Sequence, residues 1–210
     1  MDGKGPASRR HPRKSIGAKR NPESADAIRR AAAEILAEKG HAGFSIEAVA
    51  RRAHAGKPTI YRWWPSKAAL LLDVYHRQKQ GMPEPDTGLL AEDLTIFLDA
   101  LFRHWRDTPT GAVFRSVVAE AQSDETAADA LRTYLEDRLE HSARMVRRAR
   151  ERGEVGAHVD PLLAIDMLVS FAWCRLLTGR LDMETAALRA AVGLFVNGWR
   201  PLPAGAAAPA

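Results

Sequence analysis

Apolar positions recur along this chain at the three-and-four spacing of an α-helix and almost nowhere at the alternation of a strand. The first run is Ile28, Ala31, Ala32, Ile35 and Leu36. It follows Asn21-Pro22-Glu23, which offers a capping side chain, a proline for the first turn and an acid beside it. Gly40 supplies the stop. Ser45 then caps a short run whose inner face is Ile46, Val49, Ala50 and Ala53. His54-Ala55-Gly56 breaks it, with Gly56 as the residue that suits a tight turn. Lys57-Pro58 opens a third helix through Trp64. Ile60 and Trp64, four apart, share its inward face, while Thr59, Tyr61, Arg62 and Trp63 lie off it. Pro65-Ser66-Lys67 breaks and recaps, and Leu70, Leu71, Val74 and Tyr75 carry a fourth helix toward Gln80.

The segment 81–88, GMPEPDTG, reads as a linker. Beyond it the spacing predicts helices over Leu89 to Asp107, Thr110 to Gln122, Asp124 to Arg152 and Asp160 to Thr178, and a last one capped by Asp182 and running to Gly198. The pattern is therefore all-α, about nine helices, in two parts: a small one over 21–80 and a larger one over 88–200. The flank 1–20 holds too little apolar surface to order itself, and the tail 201–210, PLPAGAAAPA, is low-complexity and reads as disordered.

Charge sharpens this division. Residues 1–80 carry 17 Lys/Arg against 7 Asp/Glu, and residues 81–210 carry 14 against 19. A basic first part on an acidic remainder suits a polyanion-binding head on a body that does not bind polyanions. Arg9, Arg10, Arg13, Lys14, Lys19 and Arg20 make the first segment either a solvated terminus or an arm that tracks phosphates or enters a minor groove; the sequence leaves both open. The single cysteine, Cys174, forms no intrachain disulfide, and no apolar run has the length of a membrane span or the form of a signal peptide. These features fit a cytoplasmic protein with no membrane partner.

Two short helices joined by a small-residue turn, the second bearing Lys57, Thr59, Tyr61 and Arg62, form a helix-turn-helix able to enter the DNA major groove. The run Phe44, Ser45, Ile46, Ala50, Ala53, Gly56, Lys57, Thr59, Ile60, Tyr61, Arg62, Trp64, Pro65, Ser66, Lys67, Leu70 resembles the DNA-binding domain of the tetracycline-repressor (TetR) family of bacterial transcriptional regulators. The resemblance covers residues 24–75. It departs from the family at Gly56, where Ser or Thr is frequent, and at Trp63, where His is common. It implies phosphate contacts at Ser45, Thr59, Tyr61 and Lys67. It also implies that Lys57 and Arg62 reach phosphates or base edges, and that Trp63 touches the DNA backbone. The residue chemistry agrees, since hydroxyls position a duplex and long cations neutralise phosphates or bond guanine. Arg51 and Arg52 are either further contacts or solvated.

For the larger part, the resemblance implies an effector-binding domain that pairs two chains through the last two helices. Ile165, Leu168, Val169, Ala172 and Leu176 on one, with Ala187, Ala190, Ala191, Leu194 and Phe195 on the other, offer the faces. Phe97, Leu101, Trp105, Phe114, Val118, Met145, Met167, Phe171 and Trp173 are candidates to line an apolar cavity, with His104, His141, Arg144 or Cys174 as polar anchors; the same residues serve equally as core. The arginines from Arg144 to Arg152 read as the solvated end of a long helix. No Gly-rich phosphate loop, nucleophile elbow or metal-ligand spacing is present, so neither catalysis nor a cofactor is expected. The expectation is a homodimeric repressor released from a double-stranded DNA operator by a small-molecule effector. The other readings are a DNA-binding regulator governed by a protein partner or by abundance, and an enzyme with a vestigial head.

Overall fold

The computed structural model describes residues 22–79 and 81–200. The basic segment 1–20, the Asn21 cap, Gln80 and the tail 201–210 lie outside the described residues. Among the described residues the chain is all-helical, with nine helices and no strand: α1 (Pro22–Lys39), α2 (Ile46–Arg52), α3 (Lys57–Trp63), α4 (Lys67–Gln78), α5 (Leu90–Asp107), α6 (Thr110–Glu120), α7 (Glu125–Glu151), α8 (Pro161–Leu177) and α9 (Thr185–Gly198). No helix among them is long and apolar enough to cross a membrane.

In the first four helices local chemistry and packing agree. Ile28, Ala32 and Ile35 of α1 and Val49 of α2 are buried together with Ile60 of α3 and Trp64 just past its end. Ser45 and Ser66 cap α2 and α4 by accepting the amides of Ala48 and Ala69, at 3.2 and 3.0 Å. The turn between α2 and α3 corrects one expectation. Gly56 has an ordinary extended backbone, φ −75°, and the residue with positive φ is His54, at 50°. Histidine tolerates that region better than most side chains.

The body is built around α7, about 40 Å long. Asp124 caps its start by accepting the Ala127 amide at 2.7 Å. It packs on α8 along one side and on α4, α5 and α6 along others, while α9 lies on α5. α4 is thus shared: it packs on α1 in the head and on α6 and α7 in the body. The expected Asp182 cap of the last helix is not made. Glu184 precedes that helix without a side-chain cap, and Asp182 is exposed and ion-paired to Arg106 at 3.3 Å.

Two further expectations change. The face of α8 bearing Ile165, Leu168, Ala172 and Leu176 is buried within this chain, because α7 and α5 cover it. The arginines near the end of α7 are not simply solvated. Arg148 donates to the Pro85 carbonyl at 2.6 Å and pairs with Asp86 at 3.3 Å, Arg144 faces Glu84 at 3.7 Å, and Arg152 pairs with Glu154 at 2.7 Å. They strap the linker onto α7. Glu154 in turn accepts the Leu90 amide at 2.8 Å, capping α5 from a distant point of the chain.

Candidate DNA-binding and effector sites

On α3, Lys57, Tyr61 and Arg62 are exposed, and Thr59 and Trp63 are half-buried. The Arg62 guanidinium lies over the Trp63 ring at 5.5 Å, and Trp63 meets Trp64 edge-on at 5.9 Å. Lys57 reaches Glu47 of α2 at 2.9 Å, an exposed pair that a phosphate can replace. The Lys67 ammonium sits 5.9 Å over the buried Phe44 ring. Ser45 uses its hydroxyl oxygen as the α2 cap, which leaves the hydroxyl proton to donate elsewhere. Arg52 is committed inside the head: it grips both carboxylate oxygens of Glu38 at 2.8 and 2.7 Å and ties α2 to α1. Arg51 is exposed and has no ion pair among the described residues.

One acid fixes α3 on α4. Asp73 Oδ2 accepts the Trp64 indole N–H at 2.7 Å and the Arg29 Nε–H at 2.7 Å. Arg29 also bonds Asp26 at 3.0 Å and lies 5.3 Å over the Trp64 ring. Asp73 thereby joins helices α1 and α4 to the end of α3, around an indole that is almost fully buried.

The other end of α4 forms part of a cavity of about 340 Å³ in the body. Tyr75, His76 and Lys79 of the α4 end, Phe97, Leu101 and Trp105 of α5, Phe114 of α6, a row on α7 from Tyr134 to Arg148, Val169 and Trp173 of α8, and residues 82–85 of the strapped linker line it. Its aromatic wall is continuous. Tyr75 stacks on Phe114 at 5.0 Å, Trp105 on Phe114 at 6.1 Å, and Trp173 meets Phe114 edge-on at 5.2 Å. The Trp105 indole donates to the Tyr75 hydroxyl at 2.7 Å, and burial holds the Tyr75 pKa well above the usual phenol range.

Of the cavity candidates from the sequence, Phe97, Leu101, Trp105, Phe114, Met145 and Trp173 stand on this wall, with His141 and Arg144 beside Glu84. Met167, Phe171 and Val118 do not. Met167 is 50% exposed on the outer side of α8. Phe171 packs between Phe102 and Phe195, at 6.4 and 6.1 Å, where α8 meets α5 and α9. His104 meets Tyr75 edge-on behind the wall, and Cys174 is exposed. Tyr75, His76, Lys79, Tyr134, Arg138 and the linker also line it, and none of them is among the sequence candidates. One signal was available: Tyr134, Arg138, His141, Met145 and Arg148 recur at helical spacing, a stripe too polar for core and too aromatic for solvent.

An apolar stripe remains outside. Leu163, Met167 and Leu177 of α8 are 60%, 50% and 49% exposed, in line with Ser170 and Cys174. On α9, Leu194 is 80% exposed beside Ala187 and Ala190. The α9 face expected to pair is therefore largely outward. On α8 the outward face is a different one from that expected.

A basic helix-turn-helix tied to a helical body defines a DNA-binding regulator. Residues 28–74 match bacterial regulatory proteins of the tetR family, and residues 84–195 match the tetracyclin repressor-like C-terminal domain. The DNA-binding transcriptional repressor TetR of Mycobacteroides abscessus is 33% identical over 151 residues, 70% of this chain and 79% of that protein. An uncharacterized HTH-type transcriptional regulator, YdeS of Bacillus subtilis (strain 168), is 29% identical over 77% of this chain and 82% of its own length. Among solved structures, the TetR family transcription regulator SCO0332 superposes with a TM-score of 0.74 at 33% identity, covering 85% of this chain and 100% of that one. The chain belongs to the TetR family of transcriptional regulators.

Proposed function

We propose that this protein is a homodimeric, cytoplasmic repressor released from its operator by a small molecule bound in the body cavity. The observation that carries this is the double duty of α4. Its Asp73 holds the end of the recognition helix α3, and at its other end Tyr75 and His76, with Lys79 just past the last turn, form one wall of the cavity. A ligand that shifts that wall moves α4 and, through Asp73, the spacing between two recognition helices that must meet successive major grooves about 34 Å apart. The repressor sense draws support from the Mycobacteroides abscessus relative, a transcriptional repressor by name. The alternative without an effector has no comparable observation behind it, since it leaves a cavity with an aromatic wall without a role.

Ser45, Thr59, Tyr61 and Lys67 set the head on phosphates, and Lys57, Arg62 and Trp63 read or flank bases. Gel-shifts on DNA flanking the gene test this. Tyr61→Ala and Lys67→Ala each weaken binding about tenfold on every sequence, and Lys67→Ala lowers the salt slope by about 1. Arg62→Ala loses about 1–3 kcal/mol chiefly at one base pair. An equal loss on all sequences would reduce Arg62 to a phosphate contact, and no specific shift by the unaltered protein would sink the reading.

The exposed stripe on α8 and α9 provides the pairing face, because a row of leucines and small residues left in water favours association. Leu163→Glu together with Leu194→Glu should convert a dimer to a monomer in light scattering and lose operator binding. A dimer that survives both substitutions places the interface elsewhere.

A further inference from the structure

The polar groups on the cavity wall are strongly one-sided. Lys79, the residue after the last turn of α4, brings its ammonium 5.5 Å from the Tyr75 ring, and no carboxylate among the described residues pairs with it. The charge that acts on it is that of another cation, Arg138 of α7. Burial, reinforced by Arg138, lowers the Lys79 pKa to about 8. Arg138 is itself satisfied by Asp137 at 2.6 Å, so the uncompensated charge on this wall is that of Lys79.

The neutral groups add donors. The Tyr134 hydroxyl is buried without a hydrogen-bond partner. The Tyr75 hydroxyl accepts from Trp105, which leaves its own proton available. Buried donors without acceptors are rare in folded proteins and carry a free-energy penalty that a matching ligand removes. The one carboxylate lining the cavity, Glu84, sits on the linker and is taken by His141 at 3.0 Å and Arg144 at 3.7 Å. The rest of the wall is aromatic. A volume of about 340 Å³ is roughly twice the ~150 Å³ that encloses one benzene ring, so the space suits about two rings.

Resting on the reading of this cavity as the effector site, we infer that its ligand is an aromatic monoanion of about two rings, with a carboxylate or similar anionic oxygen received by the Lys79 ammonium and the Tyr134 hydroxyl. The rings lie against Phe114 and Trp105. The anion sits at the end of α4, the helix whose Asp73 holds α3, so ligand charge acts directly on the element that positions the DNA-binding helix. A cationic ligand would place like charges together, and a neutral one would leave Lys79 unmatched.

Three probes of one shape test this on the full-length protein without DNA: naphthoate, naphthamide and naphthylmethylammonium. Tryptophan fluorescence gives binding and thermal melting gives stabilisation. Naphthoate should bind at least about tenfold more tightly than naphthamide, as a charge-assisted hydrogen bond predicts, and the ammonium compound most weakly. Lys79→Met should level naphthoate and naphthamide while leaving the melting temperature of the free protein equal or higher, since an unpaired, partly buried charge is gone. Tyr134→Phe, which removes only the hydroxyl, should weaken naphthoate several-fold. Failure of naphthoate to bind at millimolar concentration, equal binding of naphthamide to the unaltered protein, or a preference that survives Lys79→Met would overturn the inference. Operator release is scored separately by gel-shift. Naphthoate that binds without release overturns the release mechanism and keeps this assignment, whereas release by naphthamide alone does the reverse.

Discussion

Asp73→Ala is expected to lower stability by about 2–3 kcal/mol and to weaken operator binding by more than tenfold at temperatures where the protein remains folded. The substitution leaves the Arg29 guanidinium and the Trp64 indole without a shared acceptor in a mostly buried site. Removing one partner of a fully buried pair costs about 3–5 kcal/mol, and the partial exposure of Asp73 reduces that figure. For a chain of this length the loss appears as a drop of about 5–10 °C in melting temperature. DNA binding suffers separately, because the end of α3 is no longer pinned to α4. Asp73→Asn keeps an acceptor for the indole and loses only the charge opposite Arg29, so it should fall between. Melting curves of the three proteins decide the matter; an alanine variant within a degree of the original would show that Asp73 holds nothing.

The second large effect is at Gly111. A methyl group there would lie 2.3 Å from the Trp105 carbonyl oxygen and 3.0 Å from its carbon, so α5 and α6 approach at backbone distance. Backbone on both sides cannot step aside as a side-chain tip can, so Gly111→Ala should destabilise by about 3 kcal/mol. The clash also displaces Trp105, whose indole bonds Tyr75 and forms part of the cavity wall. The corner is further fixed by Thr108 and Thr110, whose hydroxyls both donate to the His104 carbonyl, at 2.6 and 2.9 Å. Tryptophan emission should shift red along with the lower melting temperature. Unchanged emission with full stability would mean that the two helices separate freely.

The head was legible because its determinants are local. Ser45 and Ser66 announce helix starts by chemistry that acts over three residues, and Ile60 and Trp64 mark their inward face by spacing alone. The exception, His54 in place of Gly56 at the positive-φ position, arose because a glycine permits that conformation without requiring it. In the body, periodicity found the helices but not their partners. α8 is apolar almost all round, with Leu162, Leu163, Ala164, Ile165, Met167, Leu168 and Val169 in near succession, so spacing cannot say which face meets α7 and which meets solvent. That is why spacing alone puts Met167 among the cavity candidates and Ile165 at a dimer face. The arginines of α7 look solvated until Glu84, Pro85 and Asp86 are seen folded against them, a contact across some sixty residues.

The division of α4 between head and body bears on how such a regulator can be taken apart. The proline-rich segment 81–88 looks like the natural seam at which to graft this head onto a different sensor, or this sensor onto a different head. A cut there carries Tyr75, His76 and Lys79 away with the head, and with them one wall of the cavity. The exchangeable module is therefore not the one the linker marks out. A chimera joined at that seam inherits its chemical sensitivity from both parents, and engineering a new input means rebuilding the last turn of α4 along with the body.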